Sequence, residues 1–296
     1  MRVLLIFPGA LGDLLLLAPA AAALARQGAR VELSVRRALG ELAAAIFPGA
    51  LGPAVDGIAM SSLFTSRLGP ALADWLRGAD VVHAWLGASA TTAELQRHAA
   101  SLGVAALRWH SVERGDGPVH ASVAYTVALG VDGLLLVPRL ELAVGRPTLA
   151  WRCALAERLV IHPGAGSAGK RWTPSGFRRV ADGWRARGGE VAILLGPAEE
   201  DTEAFWRATD HRVAARLALP DAAALIASAP RYLGNDSGIS HLAGALGRTG
   251  AVLFRSTRAE RWRPLGGALA ALDVVPEAEA ALAARLLTLL GTPGGL

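Results

Sequence analysis

Short leucine- and valine-rich runs alternate with longer Ala, Leu and Arg segments of helical period along the chain. That alternation is the signature of parallel α/β layers, because each parallel strand pair needs a crossover long enough to hold a helix. Strands are expected at 2–7, 30–36, 55–59 and 80–84, with helices at 13–27, 39–47, 68–77, 91–102 and 119–129. The pattern lapses over 130–147, where Pro138, Gly145 and Pro147 surround a short apolar run and predict a linker. It resumes with strands at 158–162, 190–195, 213–218, 231–234 and 251–254 and helices at 174–187, 199–209, 221–228, 237–246 and 276–290. Two domains follow, 1–147 and 148–296, with the last helix able to fold back onto the first domain. Each is expected to be a Rossmann-like, doubly wound parallel sheet, and the 296 residues suffice for two separate cores. Two such halves imply a cleft, with ligands at the carboxyl ends of the strands.

Composition narrows the function classes. With 52% hydrophobic and 19% charged residues the chain is a folded globular protein, not a disordered one. Its net charge of +5 suits an acidic partner such as a nucleotide sugar, a phosphorylated glycan or an anionic membrane face. Nucleic acid is not expected, because the arginines are scattered and no basic run is interleaved with aromatics. Cys153 is the single cysteine, which leaves no disulfide framework and no cysteine metal site, as in a reducing cytosolic setting. The start mimics a secretory signal, yet Pro8, Gly9, Gly12 and Asp13 interrupt the apolar run, so it reads as mature strand, turn and helix. No run of about 20 apolar residues offers a membrane span.

Three loops at predicted strand ends carry chemistry. In Pro8-Gly9-Ala10-Leu11-Gly12-Asp13 the glycines let backbone approach a ligand, and Asp13 starts a helix at the presumed cleft; helix capping would account for Asp13 equally well. The loop lacks the G-x-G-x-x-G spacing of nicotinamide-binding domains. The second loop, His162 to Trp172, nearly matches a P-loop through Gly164, Gly169 and Lys170, but Arg171 stands where a Ser or Thr would hold Mg²⁺. What remains is a flexible backbone, the Ser167 hydroxyl and the Lys170 cation facing an anion. Lys170 is the only lysine in a chain that otherwise uses arginine, which suggests a need for a compact ammonium. The third loop, Gly234-Asn235-Asp236-Ser237-Gly238, opens a helix whose free N–H groups can take a phosphate or sugar oxygen, and His241 lies one turn on, on the same face. Capping alone would explain Asp236 and Ser237.

The ordered set of motifs resembles glycosyltransferase family 9: Gly9-Ala10-Leu11-Gly12-Asp13, then His162-Pro163-Gly164-Ala165 with Lys170-Arg171-Trp172, then Gly234-Asn235-Asp236-Ser237-Gly238 with His241-Leu242-Ala243. The match is tight in the second half and the first thirty residues, and weak from Val31 to Pro147. The resemblance implies a GT-B fold, an ADP-sugar donor, heptose the expected sugar, held by the C-terminal domain, a lipopolysaccharide-core or related lipid-linked or oligosaccharide acceptor on the N-terminal side, and inversion at the anomeric carbon. It makes Asp13 the general base and Gly12 a substrate-binding residue beside it, and gives the diphosphate to Ser167 and Lys170. Asp236, Ser237, Gly238 and His241 would border the diphosphate and sugar, and Glu199 or Asp201 would bind the adenosine ribose. No cofactor or metal ligand is assigned, since the nucleotide is part of a substrate. The implied setting is cytoplasmic, compatible with peripheral attachment at the inner membrane. Two departures stand near the expected cleft: Phe7 replaces a frequent basic residue, and Arg255-Ser256-Thr257 replaces Gly-Pro-Thr. Arg255, Arg258, Arg261 and Arg263 form a basic loop that could meet an acidic acceptor or solvent, and His83, Trp85, Trp109 and His110 fit either the acceptor side or a core. The competing readings are another nucleotide-sugar enzyme of epimerase type, and a P-loop-like nucleotide-binding protein without transferase activity.

Overall fold

Apolar runs without polar alternation belong in strands covered on both faces. In the computed structural model they form the centres of two all-parallel sheets. The structure describes residues 1–47, 49–86, 91–111, 117–131, 158–274 and 278–294. Most of the linker expected at 130–147, and Cys153, lie outside these residues. The chain divides into two compact units, Met1–Gly115 with Ala121–Leu136 and Asp116–His120 with Val137–Leu296.

In the first unit the order is β1 (Arg2–Ile6), α1 (Leu11–Arg26), β2 (Arg30–Ser34), α2 (Gly40–Ile46), β3 (Ala50–Leu51), α3 (Ile58–Ser61), α4 (Pro70–Leu76), β4 (Val81–Ala84), α5 (Thr91–Ser101), β5 (Ala106–Trp109) and α6 (Ala121–Leu129). The sheet runs β3-β2-β1-β4-β5. Helix α1 is buried almost all round, from Leu14 to Ala21, as its lack of a polar face requires. It packs against α6. Arg2 ties the amino end of β1 to Glu32 on β2 through two hydrogen bonds of 2.9 and 3.0 Å. That guanidinium holds the Glu32 carboxyl below its ordinary range.

The second unit runs β6 (Arg158–His162), α7 (Pro174–Ala186), β7 (Glu190–Leu195), α8 (Glu200–Arg207), β8 (Arg212–Ala215), α9 (Leu219–Ala227), β9 (Arg231–Asn235), α10 (Gly238–Ala245), β10 (Thr249–Phe254), α11 (Ala259–Trp262), β11 (Ala268–Asp273) and α12 (Glu279–Leu290). Its sheet is ordered β11-β10-β9-β6-β7-β8. Counted from β6 as the first strand, this is the 3-2-1-4-5-6 order of a complete Rossmann fold. Helix α7 shows why such segments fold as they do. Thr173 caps it by accepting from the Gly176 N–H at 3.1 Å, Pro174 occupies the first turn, and Phe177, Val180, Ala181 and Trp184 bury one stripe. Leu282, Leu286 and Leu290 of α12 join Trp184 in the core of this unit.

One expectation needs correction, and two strands were not foreseen. The strand expected at 55–59 is absent; the chain pairs with β2 earlier, at Ala50–Leu51, and Ile58–Ser61 is helical. Gly52 and Val55 still donate to the Leu33 and Val35 carbonyls at 2.9 Å, so the segment follows β2 and leaves it before Gly57. Strands β5 and β11 were not expected, because ALRW and ALAALD carry residues of weak β propensity. Both are edge strands, held by pairing with β4 and β10.

Candidate functional site

In a doubly wound sheet the ligand crevice opens where the strand order reverses, outside the carboxyl ends. In the second unit that point falls between β6 and β9, and the loops leaving these strands are the two motifs singled out from sequence. They are braced against each other. The Trp172 N–H donates to Asn235 Oδ1 at 2.9 Å, and Asn235 Nδ2 donates to the Pro163 carbonyl at 2.7 Å. His162 ends β6 with Nδ1 at 2.9 Å from the Leu194 carbonyl. Since a carbonyl only accepts, Nδ1 carries the proton, and burial keeps this imidazole below the ordinary histidine range.

Lys170 and Asp236 come together across this brace. Lys170 Nζ donates to Asp236 Oδ2 at 2.7 Å, and Thr257 Oγ1 donates to the same oxygen at 2.6 Å. Asp236 is buried, and the Lys170 side chain is 30% exposed, so the ammonium sits at the edge of the site. Thr257 was noted in the sequence only as part of Arg255-Ser256-Thr257 and was given no role there. Its signal was position, just past an apolar strand and retained from the Gly-Pro-Thr pattern. Ser237 caps α10 by accepting from the Ser240 N–H, which leaves the N–H groups of Gly238 and Ile239, in the helix's first turn, without intrahelical partners. Gly238 is the first helical residue. His241, one turn on, is 95% buried, and its Nδ1 has no hydrogen-bond partner among the described residues. Burial holds this histidine down to about 4, opposed by the nearby Asp236 carboxylate. A neutral imidazole with an unanswered buried ring nitrogen is uncommon in a folded protein and calls for a physical reason. Ser167 is exposed and begins the 3-10 turn Ala168–Lys170 without capping it through its side chain.

The structure separates Glu199 from Asp201. Glu199 is buried; its Oε2 accepts from the Gly196 N–H at 2.8 Å, and its carboxyl lies against bare backbone at Gly164, where a Cβ would sit 2.1–2.6 Å from it. Asp201 is exposed and paired with Arg171 at 3.2 Å. Arg171 also donates to the Ala198 carbonyl at 2.6 Å, so this cation, placed where a P-loop hydroxyl would stand, braces the loop after β7. In the basic loop, Arg261 is not solvated. It is 2% exposed and donates to the Val119 carbonyl at 2.9 Å, while His120 Nε2 donates to the Arg263 carbonyl at 2.9 Å.

In the first unit the reversal falls between β1 and β4. The loop after β1 leads into α1, where Asp13 occupies the third position and accepts from the Ala10 N–H through Oδ2 at 3.1 Å. Ala10 has no side chain to cap with, so the carboxylate supplies that half of the cap alone. Gly12 is buried beside it. The Tyr125 hydroxyl of α6 donates to Asp13 Oδ1 at 3.3 Å. Phe7, Trp85 and Tyr125 pack edge to face, with Phe7 centroids 5.3 and 5.6 Å from the other two. His83 and His110 adjoin them, His83 Nδ1 being 2.8 Å from His110 Nε2. Burial lowers both imidazoles, His83 to about 4. Among the described residues no group of three or more His, Cys, Asp and Glu side chains could hold a metal ion, and no helix is long and apolar enough to cross a membrane.

Comparison with known proteins follows the same lines. Residues 79–283 match the model of glycosyltransferase family 9 (heptosyltransferase). Lipopolysaccharide heptosyltransferase 3 of Escherichia coli is 27% identical over 167 residues, 51% of this chain and 48% of that relative, so the chain spans about half the length of this curated relative. Among solved structures, E. coli ADP-heptose LPS heptosyltransferase II superposes with a TM-score of 0.73 at 18% identity, covering 98% of both chains. E. coli heptosyltransferase WaaC with ADP gives 0.70 at 16% identity, covering 97% of this chain and 98% of the other.

Proposed function

Because the chain belongs to glycosyltransferase family 9 (heptosyltransferase) and has the GT-B fold of two parallel-sheet α/β units, we propose that it is an inverting glycosyltransferase. It moves a sugar, heptose by the family's description, from an ADP-sugar to a lipopolysaccharide-core or related glycan acceptor. Residues 1–147 serve the acceptor and 148–296 the donor. The reaction takes place on the cytoplasmic side, where a lipid-linked acceptor would bring the enzyme to the membrane surface. A relative of the same fold solved with ADP, and again with ADP-2-deoxy-2-fluoro heptose, supports the choice of donor.

One observation carries this reading: the sole lysine, held by Asp236, whose carboxylate also accepts from Thr257, stands beside the open N-terminus of α10 at the strand-order reversal. A diphosphate there meets an ammonium, the Ser167 hydroxyl and helix N–H groups, all favouring anionic oxygens. His241 offers its buried ring nitrogen, and Gly238 lets the donor approach the backbone. Of the two ribose candidates we assign Glu199, whose carboxyl is fixed by the Gly196 N–H, and leave Asp201 as the outer partner of Arg171.

Asp13 is the base. Its carboxylate takes the proton of the acceptor hydroxyl as that oxygen bonds the anomeric carbon from the face opposite the leaving group. The bond from that carbon to the β-phosphate oxygen breaks, and its electron pair departs with ADP. Lys170 and the α10 terminus stabilise the charge gathering on the phosphate. Asp13→Asn should cut turnover by at least about a hundredfold with ADP affinity retained. Lys170→Ala should weaken ADP about tenfold or more, measured by calorimetry. Near-normal transfer by the first variant, or unchanged ADP binding by the second, refutes the assignment.

A further inference from the structure

Asp13 touches a residue that no sequence motif pointed to. Tyr125, 112 positions away, stands with its hydroxyl 3.3 Å from Asp13 Oδ1. An ionised carboxylate has no proton to give, so the phenol is the donor. Oδ2 is already taken by the Ala10 N–H at 3.1 Å. Donors thus reach the two carboxylate oxygens from different directions, which restricts rotation of the group.

What holds the phenol is packing. Its ring meets Phe7 at 5.6 Å and 78°, and Trp85 at 6.2 Å and 69°, both edge to face. Phe7 itself packs against bare backbone: a Cβ on Gly9 would lie 2.4 Å from the Phe7 ring and 2.9 Å from the Asp13 Cβ. Gly9 is thus required for the aromatic ring and the carboxylate to sit side by side.

We propose that Tyr125 is a positioning residue for Asp13, orienting the carboxylate and lowering its proton affinity through the phenolic hydrogen bond. This rests on the reading of Asp13 as the base. The bond is longer than most O–H···O bonds, and bonds at reaction centres commonly tighten once reactants are in place. Arg36, which follows β2 and donates to the Pro8 carbonyl at 2.7 Å, stays charged throughout. His83 of β4 and His110 after β5 pack near Trp85, where burial lowers both, His83 to about 4, and since parent and variant share them the effect is read as a difference between the two.

Tyr125→Phe tests the proposal, because it deletes the donor and keeps the ring. The variant should fold with an unchanged melting temperature and bind donor with a KM within about twofold of the parent. Its kcat should fall about three- to tenfold, and the acid limb of its pH–rate profile should move upward by about half a unit, since an unbonded carboxylate holds its proton more tightly. A kcat and acid limb identical to the parent's overturn the proposal. If the parent glycosylates no acceptor, the base assignment fails by itself, and carboxyl-carbon NMR titration of Asp13 still tests the hydrogen bond. A higher Asp13 midpoint in Tyr125→Phe sustains the positioning contact, and equal midpoints overturn it.

Discussion

At the scale of single residues, the most informative contact is that between Lys170 and Asp236. A carboxylate beside the proposed diphosphate site looks counterproductive, yet Asp236 is buried, with Lys170 balancing its charge at 2.7 Å and the Thr257 hydroxyl donating to the same oxygen at 2.6 Å. Two accounts predict opposite outcomes for Asp236→Asn. If Asp236 only adds negative charge, its removal tightens ADP binding; if it aims the ammonium, removal weakens binding. We expect weakening by about five- to tenfold by calorimetry, because a flexible lysine must otherwise be ordered by the ligand itself. Tighter binding would remove Asp236 from the orienting role. The residue types of this site were legible in the chain: a lone lysine, a Gly-rich loop and an Asp-Ser-Gly turn each carry a local chemical reason. Their partners were not. Nothing near Lys170 in sequence indicates Asp236, 66 positions away, or Thr257, and nothing near Glu199 indicates that its carboxyl would rest on Gly164.

At the scale of elements, α10 joins stability to binding through one cap. Ser237 accepts from the Ser240 N–H, so Ser237→Ala should cost about 1 kcal/mol in urea denaturation and weaken ADP as well. Ser237→Asp separates the two effects. It restores the cap and keeps stability, but sets a negative charge where the diphosphate would bind, so ADP affinity should fall further than in the alanine variant. Equal or better affinity in Ser237→Asp would show that no anion docks at this terminus. The central strands were legible because uninterrupted apolar runs such as that of β7 have few alternatives in a chain with helical periods on either side. Edge strands β5 and β11 were not, since their Ala- and Leu-rich sequences become strands only by pairing with β4 and β10.

At the scale of the whole molecule, buried neutral histidines make the fold sensitive to acid. His83 and His241 are held down to about 4, chiefly by burial, against an ordinary value near 6.5. Between those values the unfolded chain binds more protons than the folded one, so stability is fully present above about pH 6.5 and is lost as pH falls toward 4. Each group contributes on the order of 1–3 kcal/mol across that window. Thermal midpoints should therefore drop between pH 7 and pH 5, and His241→Gln should flatten the slope; a midpoint constant over that range would contradict the burial argument. Period, glycine placement and capping chemistry act over a few residues, and so the chain's own order of letters established two parallel α/β layers, the three glycine-containing loops at strand ends and the family resemblance. Tyr125 beside Asp13 and Lys170 bound to Asp236 arise only when elements far apart in the chain lie next to each other. Packing, which no local pattern encodes, chose those partners.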